Sequence, residues 1–250
     1  MRNLKRTLSL ALASVMLVGM MSVGASAVNA SDFTDADEIV NKDAVSTMTA
    51  LGIINGKEDG SYFDPTGTVT RAEMAKMLCV AINGGVDPVL GVKDTPTFTD
   101  IKGHWAESYI EYCAANGIIA GRGNNKFDPT GTVSATEAAK MLLGVLGYNA
   151  EKSGLVGNDW AINTNVLANQ NGLYKNLSNL NANTLLTRDN AAQMIYNALD
   201  ANMVELNAAG NYTTSQYSYT GTESVVTGTE RVWVLTIKAV SYTHQGEQLH

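Results

Sequence analysis

Apolar residues recur at intervals of three and four along several stretches of this chain, the spacing that places side chains on one face of an α-helix. One such stretch is followed by Asn116-Gly117, and glycine accepts the left-handed backbone that ends many helices. A later stretch opens with Ser134 and Glu137, three residues apart, in the pattern of a capping box. The region therefore predicts two amphipathic helices joined by a glycine-rich loop. The apolar positions of the first helix are Trp105, Tyr109, Ile110, Cys113 and Ala114.

The same landmarks occur twice in the same order, so the chain contains an internal repeat. Thr70 and Glu73 open an apolar stretch in the first copy, as Ser134 and Glu137 do in the second. The shared run is far too long to arise by chance. The matching segments are Phe33-Thr34-Asp35 with Phe98-Thr99-Asp100, residues 52–56 with 117–121, and residues 63–70 with 127–134.

A third and weaker copy starts near Trp160, which aligns with Trp105, but it lacks the Phe-Asp-Pro loop of the other two. It carries Gly172 in place of Gly117, and Thr187-Arg188 opens its second apolar stretch. Each copy is too small to bury much surface alone, so we expect the three to pack together into one mainly α unit. The copies are assigned to residues 31–90, 95–150 and 155–204.

The composition changes after Met203 to Thr, Ser, Tyr, Gly and Val, residue types that favour β-strands. Residues 231–237 show this preference most clearly. Residues 205–250 are therefore predicted to be a β-rich segment that is too short and open-ended for a complete domain. We expect the chain to be a fragment of a longer protein.

The N-terminal segment has the pattern of a secretory signal peptide. Three basic residues precede an apolar run at residues 8–23, and Ala25-Ser26-Ala27 then supplies the small residues of a cleavage site. We predict a signal peptide at residues 1–27, with Ala30 as the alternative cleavage position. No later stretch is apolar for long enough to span a bilayer, so we expect a secreted chain that does not cross a membrane.

The charge balance makes nucleic acid an unfavourable partner. The full sequence has a formal net charge of −7 at pH 7, and signal cleavage would remove three cations and no acidic residue. A polyanion is repelled by such a field unless a basic patch exists, and the sequence contains no cluster of Lys and Arg.

The sequence also gives little support for an enzyme. Of its three histidines only His104 lies within a repeat, and it has no suitable catalytic partner nearby. We expect no enzymatic activity, no metal site and no cofactor. Polar loops around Asp59 and Asn124 raise a calcium-binding surface module as an alternative, but they lack the alternating oxygen ligands and closing glutamate of an EF-hand.

The two cysteines, Cys79 and Cys113, both fall inside apolar helical patterns, without the close spacing of a metal or redox motif. Buried free thiols are the simplest interpretation. A disulfide between them is compatible with an oxidising compartment, but the sequence does not give the separation of their Cα atoms.

Thr70-Arg71-Ala72-Glu73 places a cation at the first position of a predicted helix, where the helix dipole favours anions. Arg188 repeats this arrangement after Thr187. An external anion would resolve the conflict, because helix-start N–H groups and a forked guanidinium together can receive a carboxylate or phosphate. The alternative is that both arginines pair with nearby acidic side chains of the protein.

These motifs resemble the S-layer homology domain family, which occurs as triplets in bacterial surface proteins. The resemblance covers residues 31–204 and is strongest in the first two copies. It is carried by the repeated Phe-Thr-Asp, Gly-Ile-Ile-x-Gly and Phe-Asp-Pro motifs, by His104-Trp105, and by Thr70-Arg71-Ala72-Glu73.

The resemblance implies a pseudo-threefold helical bundle whose grooves between repeats bind a secondary cell-wall polysaccharide linked to peptidoglycan, often with a pyruvylated sugar. Other S-layer subunits are further possible partners. Glu73 and Glu137 have a purely structural alternative as capping residues, and Trp105 as a core residue. The candidate ligand residues are Arg71, Glu73, Arg188, Arg122, Glu137, Asp35, Asp100, Trp105, Gly56 and Gly121.

Departures from the family pattern predict fewer than three working grooves. The second copy has Ala135 where the first has Arg71, and the third has Asn190 at the glutamate position. The second groove is then weak or silent unless Arg122 substitutes. The predicted function is anchoring of a secreted surface protein to the cell wall. The alternative is the anchor portion of a longer surface hydrolase.

Overall fold

The computed structural model describes residues 28–177, 180–181, 183–214, 217–227 and 230–239. The predicted signal peptide at residues 1–27 lies outside this part of the chain. Six α-helices dominate the described residues, which confirms the prediction of a mainly helical chain. None of these helices is long and apolar enough to cross a membrane. They are α1 (Lys42–Ala50), α2 (Arg71–Ile82), α3 (Glu107–Ala115), α4 (Ala135–Val145), α5 (Trp160–Gln170) and α6 (Arg188–Leu199).

Local sequence signals fix where the helices begin and end. In α2 the Thr70 hydroxyl accepts from the Glu73 N–H at 3.2 Å, and the Glu73 carboxylate accepts from the Thr70 N–H at 2.7 Å. Ser134 and Glu137 form the same capping box at the start of α4, so both predicted capping boxes are confirmed. Thr187 caps α6 without a returning carboxylate. The helices α1, α3 and α5 end shortly before Gly52, Gly117 and Gly172, whose φ angles are 69°, 70° and 70°.

The helices form three consecutive pairs, α1 with α2, α3 with α4, and α5 with α6, but their main packing contacts run between pairs. Helix α3 packs on α2, and α5 packs on α4. Helix α1 packs on α6, so the first pair closes onto the third. We call α2, α4 and α6, the second helices of the three pairs, the inner helices. Helices α2 and α6 each also contact α4.

A ring of three backbone hydrogen bonds joins the residues just before the inner helices. The Val69 N–H donates to Leu186 O at 2.9 Å, the Leu186 N–H to Val133 O at 2.8 Å, and the Val133 N–H to Val69 O at 3.0 Å. All three residues are buried. The ring therefore fixes the starts of α2, α4 and α6 against one another, although these residues lie far apart in sequence.

The two Phe-Asp-Pro loops fold back onto the Phe-Thr-Asp motif of their own copy. Phe33 packs on Phe63 with ring centroids 5.3 Å apart, and Phe98 packs on Phe127 at 5.5 Å. Phe63 and Phe127 are fully buried. The two motifs thus meet in space and hold each loop against the helices.

Antiparallel strands follow the last helix. The Val204 N–H donates to Leu146 O at 2.8 Å, which attaches the first strand to the end of α4. The first two strands pair with each other, as do the last two. They are β1 (Val204–Leu206), β2 (Tyr212–Thr214), β3 (Tyr217–Thr227) and β4 (Glu230–Ala239).

Candidate functional site

The Arg71 side chain crosses from the first helix pair to the loop of the second. It is only 3% exposed. Its Nε donates to Phe127 O at 2.8 Å and its Nη2 to Ala120 O at 2.7 Å. The guanidinium carbon lies 4.4 Å from the centre of the Phe127 ring. Burial lowers the pKa of this guanidinium, an effect that the nearby Glu137 carboxylate opposes; an arginine nevertheless stays protonated in a protein.

Arg188 makes the same contacts between the third helix pair and the loop of the first. Its Nε donates to Phe63 O at 2.7 Å and its Nη2 to Asn55 O at 2.7 Å. The guanidinium carbon is 5.0 Å from the Phe63 ring centre, and the residue is 8% exposed. Arg71 and Arg188 are therefore equivalent links between neighbouring helix pairs.

The open anion receptor expected at these helix starts is not present. The Arg71 and Ala72 N–H groups donate to Gly131 O and Pro129 O, at 2.8 and 3.0 Å. The Arg188 and Asp189 N–H groups likewise donate to Gly67 O and Pro65 O. The expectation was wrong because the neighbouring loop, which is remote in sequence, supplies its own carbonyl groups to the unpaired donors.

The third boundary, between the second and third helix pairs, lacks both parts of this arrangement. Ala135 occupies the position of the arginine, and its N–H donates to Thr184 O at 2.9 Å. The third copy has no Phe-Asp-Pro loop to present carbonyl groups there. Arg122 does not substitute at this boundary, because its hydrogen bonds go to groups of the second copy that surround Arg71.

Arg122 lies at the rim of the site around Arg71. Its Nη1 donates to Asp128 Oδ2 at 2.9 Å, and its Nη2 donates to Glu137 Oε1 at 2.8 Å and Thr132 O at 2.9 Å. Glu137 Oε1 is also 3.7 Å from Arg71 Nη1. The side chain of Arg122 is 39% exposed. We call Arg71, Arg122, Asp128 and Glu137 the first cluster.

A second cluster occupies the corresponding place around Arg188, and we define it as Arg188, Lys57, Asp64 and Glu73. The Lys57 ammonium pairs with the Asp64 carboxylate, and its side chain is 39% exposed. Burial lowers the pKa of the Arg188 guanidinium, and the nearby Glu73 carboxylate opposes this lowering. Lys57 was missed from the sequence, although its alignment with Arg122 next to a repeated glycine is the signal that could have found it.

The Nη1 nitrogen of each arginine takes no part in the hydrogen bonds to the loop. Neither Arg71 Nη1 nor Arg188 Nη1 donates a hydrogen bond among the described residues. Arg71 Nη1 lies within ion-pair distance of Glu137 Oε1, at 3.7 Å. Each guanidinium is nearly buried and carries its charge at the base of its cluster.

Asp35 and Asp100 hold the Phe-Asp-Pro turns in place. The Asp35 carboxylate accepts from the Phe63 and Asp64 N–H groups at 2.9 and 2.7 Å. Asp100 accepts from the N–H groups of Phe127 and Asp128 at 2.9 and 2.8 Å. Burial would raise the pKa of Asp100, but these two donors outweigh it, and the pKa lies below its ordinary value.

The two candidate glycines allow close approaches within the same loops. A Cβ atom on Gly56 would lie 2.2 Å from Gly60 O. On Gly121 it would lie 2.7 Å from both Lys126 O and the Phe98 ring. Their role in the described structure is therefore to let the loops close beneath the clusters.

Trp105 is exposed, contrary to the alternative interpretation that placed it in the core. Its side chain is 56% exposed at the start of α3. Its ring contacts are His104 at 5.5 Å and Tyr109 at 6.4 Å between centroids. Trp160 is half-buried beneath the Lys140 ammonium, 5.1 Å from the ring centre. Among the described residues, no group of three or more His, Cys, Asp or Glu side chains is placed to hold a metal ion.

Comparison with known families identifies the class of these repeats. Residues 32–75 and 97–139 each match the family model of the S-layer homology domain. These two segments are therefore S-layer homology domains, and the resemblance drawn from their repeated motifs is confirmed. The matched segments contain the Phe-Asp-Pro loops that build both clusters.

Similar proteins come from bacterial cell surfaces. A cell surface protein of Thermoanaerobacter kivui is 28% identical over 207 residues, covering 82% of this chain and 26% of that protein. An S-layer protein of Bacillus licheniformis is 32% identical over 111 residues, covering 44% of this chain and 12% of that protein. The exoglucanase XynX of Acetivibrio thermocellus is 28% identical over 156 residues, covering 58% of this chain and 14% of that protein.

The chain thus spans about a quarter or less of the length of these relatives. The domain matches and the surface relatives together indicate a location at the bacterial cell surface or cell wall. They favour a non-enzymatic module, although one of the relatives is named as an enzyme.

Proposed function

We propose that this chain anchors a surface protein, of the S-layer or S-layer-associated kind, non-covalently to the bacterial cell wall. Its ligand is an anionic secondary cell-wall polysaccharide carrying a pyruvate ketal, and further S-layer subunits are its neighbours in the surface layer. The observation that carries the proposal is the pair of equivalent clusters, each built on a segment that matches the S-layer homology domain.

The chemistry of the clusters supports an acidic sugar as ligand. Arg71 and Arg188 each place a charged, nearly buried guanidinium at the base of a cluster, with its Nη1 outside the hydrogen bonds to the loop. Arg122 and Lys57 add a partly exposed cation to the rim of each cluster. A ketal-linked pyruvate is a carboxylate, so these donors can receive it in place of the helix-start N–H groups.

The acidic side chains suit the remaining part of a sugar ligand. Glu73, Glu137 and the paired Asp64 and Asp128 supply hydrogen-bond acceptors for sugar hydroxyl groups. They also hold the cations in place, because an unpaired buried guanidinium would be costly. Asp35, Asp100, Gly56 and Gly121 shape the loops beneath, and exposed Trp105 offers a ring on which a sugar can stack.

The number of binding grooves follows from comparing the three boundaries between neighbouring helix pairs. We infer that the copies at residues 31–90, 95–150 and 155–204 form a pseudo-threefold bundle with two working grooves. The third boundary is silent because it lacks the arginine and the loop. In this proposal the strands between Val204 and Ala239 belong to a separate β-rich region.

Wall binding by charge variants tests the proposal. We expect the chain to sediment with purified cell-wall sacculi and to lose most of this binding when acid removes the polysaccharide. The variant Lys57→Gln/Arg122→Gln should reduce binding to intact sacculi at least about tenfold, because one charge-assisted contact per groove is lost. Binding is measured by sedimentation over a range of protein concentrations.

The matched control is Lys76→Gln/Lys93→Gln, which removes two cations of similar exposure that are also paired with acidic groups. It should bind like the unmodified chain. Equal binding to stripped and intact walls would argue for a peptidoglycan or protein receptor. Equal loss in both variants would show that only overall charge matters and would reject the clusters as the site.

A second candidate function has its own support. The exoglucanase XynX of Acetivibrio thermocellus matches 58% of this chain. We therefore also consider the anchor portion of a longer surface hydrolase, whose catalytic domain would lie outside this sequence. Extending the sequence past His250 distinguishes a hydrolase domain from an S-layer domain.

A further inference from the structure

The two cysteines meet in the interface between the first and second helix pairs. Cys79 lies on α2 and Cys113 on α3, and their Sγ atoms are 3.3 Å apart. Both residues are fully buried. The sequence left open whether these side chains approach each other, and the fold now brings them into direct contact.

The geometry around the two thiols is nearly symmetric. Cys79 Sγ donates to Tyr109 O, and Cys113 Sγ donates to Ala75 O, each at 3.6 Å. Each thiol therefore reaches across to the carbonyl one turn before the opposite cysteine. A disulfide needs the sulfur atoms at about 2.05 Å, so each sulfur would have to move inward by about 0.6 Å.

The equivalent positions at another boundary show that apolar residues also fill this space. In the copy alignment, Cys79 corresponds to Leu143 on α4 and Cys113 to Ala168 on α5. Both of these residues are fully buried. A pair of thiols is therefore not needed to pack this kind of interface, and the interface of α2 and α3 carries both cysteines of the chain.

We propose that Cys79 and Cys113 form a disulfide that fastens α2 to α3 in the secreted protein. The oxidant is a low-molecular-weight disulfide, which reacts with the two cysteines by thiol–disulfide exchange. One cysteine thiolate attacks that disulfide and releases one thiol, and the second cysteine then displaces the other. Two cysteine thiols are oxidised, and the external disulfide is reduced to two thiols.

The long connection between α2 and α3 explains how the bond would stabilise the fold. The cysteines are 34 residues apart, and residues 83–97 of the connection contain no buried residue. This connection is longer than the one between α4 and α5. A cross-link over a long exposed loop removes much of the freedom of the unfolded chain and so stabilises the fold.

Burial also sets when the bond would form. The close contact with the Cys79 thiol, together with burial, raises the pKa of the Cys113 thiol. The reactive thiolate is therefore scarce in the folded protein, and external disulfides have no access to the interface. Oxidation is expected while the chain folds after export, before the helices close over the two sulfurs.

Thiol counting on the secreted full chain tests the proposal. The protein is denatured with a maleimide present, either before or after reduction, and its mass is measured. We expect no maleimide adduct before reduction, two afterwards, and a cross-linked peptide pair containing Cys79 and Cys113. One or two adducts before reduction, a stable mixed disulfide, or a disulfide-linked dimer would overturn the proposal.

Thermal unfolding supplies a second measurement that does not depend on thiol chemistry alone. The oxidised chain should have a Tm roughly 5–15 °C above that of the reduced and refolded chain. The control Cys79→Leu/Cys113→Ala copies the residues of the α4–α5 interface, and reduction should leave its Tm unchanged. A lower Tm for the oxidised chain would mean that the bond strains the fold and would overturn the assignment.

Discussion

The buried arginines of this structure support the protein's own backbone. Arg71 supplies two hydrogen bonds to carbonyl groups of a neighbouring loop and covers the Phe127 ring. Hydrogen bonds to charged groups contribute about 1.5–3 kcal/mol each. We therefore expect alanine at Arg71 or Arg188 to destabilise the fold, because both side chains are buried and bonded.

We predict that Arg71→Ala lowers the free energy of unfolding by about 3 kcal/mol. The substitution removes the partner of the buried Phe127 O and of the partly buried Ala120 O, and it opens a cavity beside the ring. The measurement is urea unfolding followed by circular dichroism. Arg122→Ala is the control, and its partly exposed ion pairs should cost about 1 kcal/mol or less. Equal, small losses in both variants would contradict the structural role of Arg71.

The helix elements differ in how far their sequence determines them. Capping boxes at Thr70 and Ser134 and the helix stop at Gly117 depend on residues only a few positions away, and the sequence predicted them correctly. The acceptors of Arg71 lie about 50 residues further along, and those of Arg188 more than 120 residues back. No local pattern contains such partners, so the sequence suggested an external anion.

The same comparison explains why the second copy departs from the motif. An arginine starts an inner helix where the helix packs against a Phe-Asp-Pro loop, as at Arg71 and Arg188. Helix α4 starts at Ala135 and meets a segment of the third copy that lacks this loop. The arginine and the loop are thus one structural unit shared by two helix pairs.

We predict that Ala135→Arg destabilises the protein by about 2–4 kcal/mol. Ala135 is buried, and a guanidinium there would lack the carbonyl pair and the aromatic ring that hold Arg71. Urea unfolding measures the loss. Ala135→Ser provides the control for a small polar side chain at the same position. An Ala135→Arg variant as stable as the original chain would show that the helix start tolerates arginine without the loop.

At the scale of the whole molecule, the packing order makes the three helix pairs interdependent. The outer helix of each pair packs on the inner helix of the preceding pair, and α1 closes the series onto α6. At that closure the Asp189 carboxylate accepts from the Asn41 N–H at 3.0 Å and from Asn41 Nδ2 at 2.6 Å. The buried ring of Val69, Val133 and Leu186 ties the inner helices together.

This interdependence predicts that one copy cannot fold alone. A fragment of residues 95–150 would keep α3 and α4 but lose their main packing partners, α2 and α5. Ile110 on α3 and Leu142 on α4, both fully buried in the chain, would then face water. The fragment also keeps none of the three bonds of the buried ring, and a segment of this size has little other surface to bury.

We therefore expect residues 95–150 to show little helical signal by circular dichroism and no cooperative melting. Residues 28–206, which retain all six helices, should unfold in a single cooperative transition, because each pair requires its neighbours. A cooperative melt of the 95–150 fragment would contradict this account of the fold. Two separate transitions in the 28–206 segment would do so as well, since a closed series of mutually packed pairs has no place at which to divide.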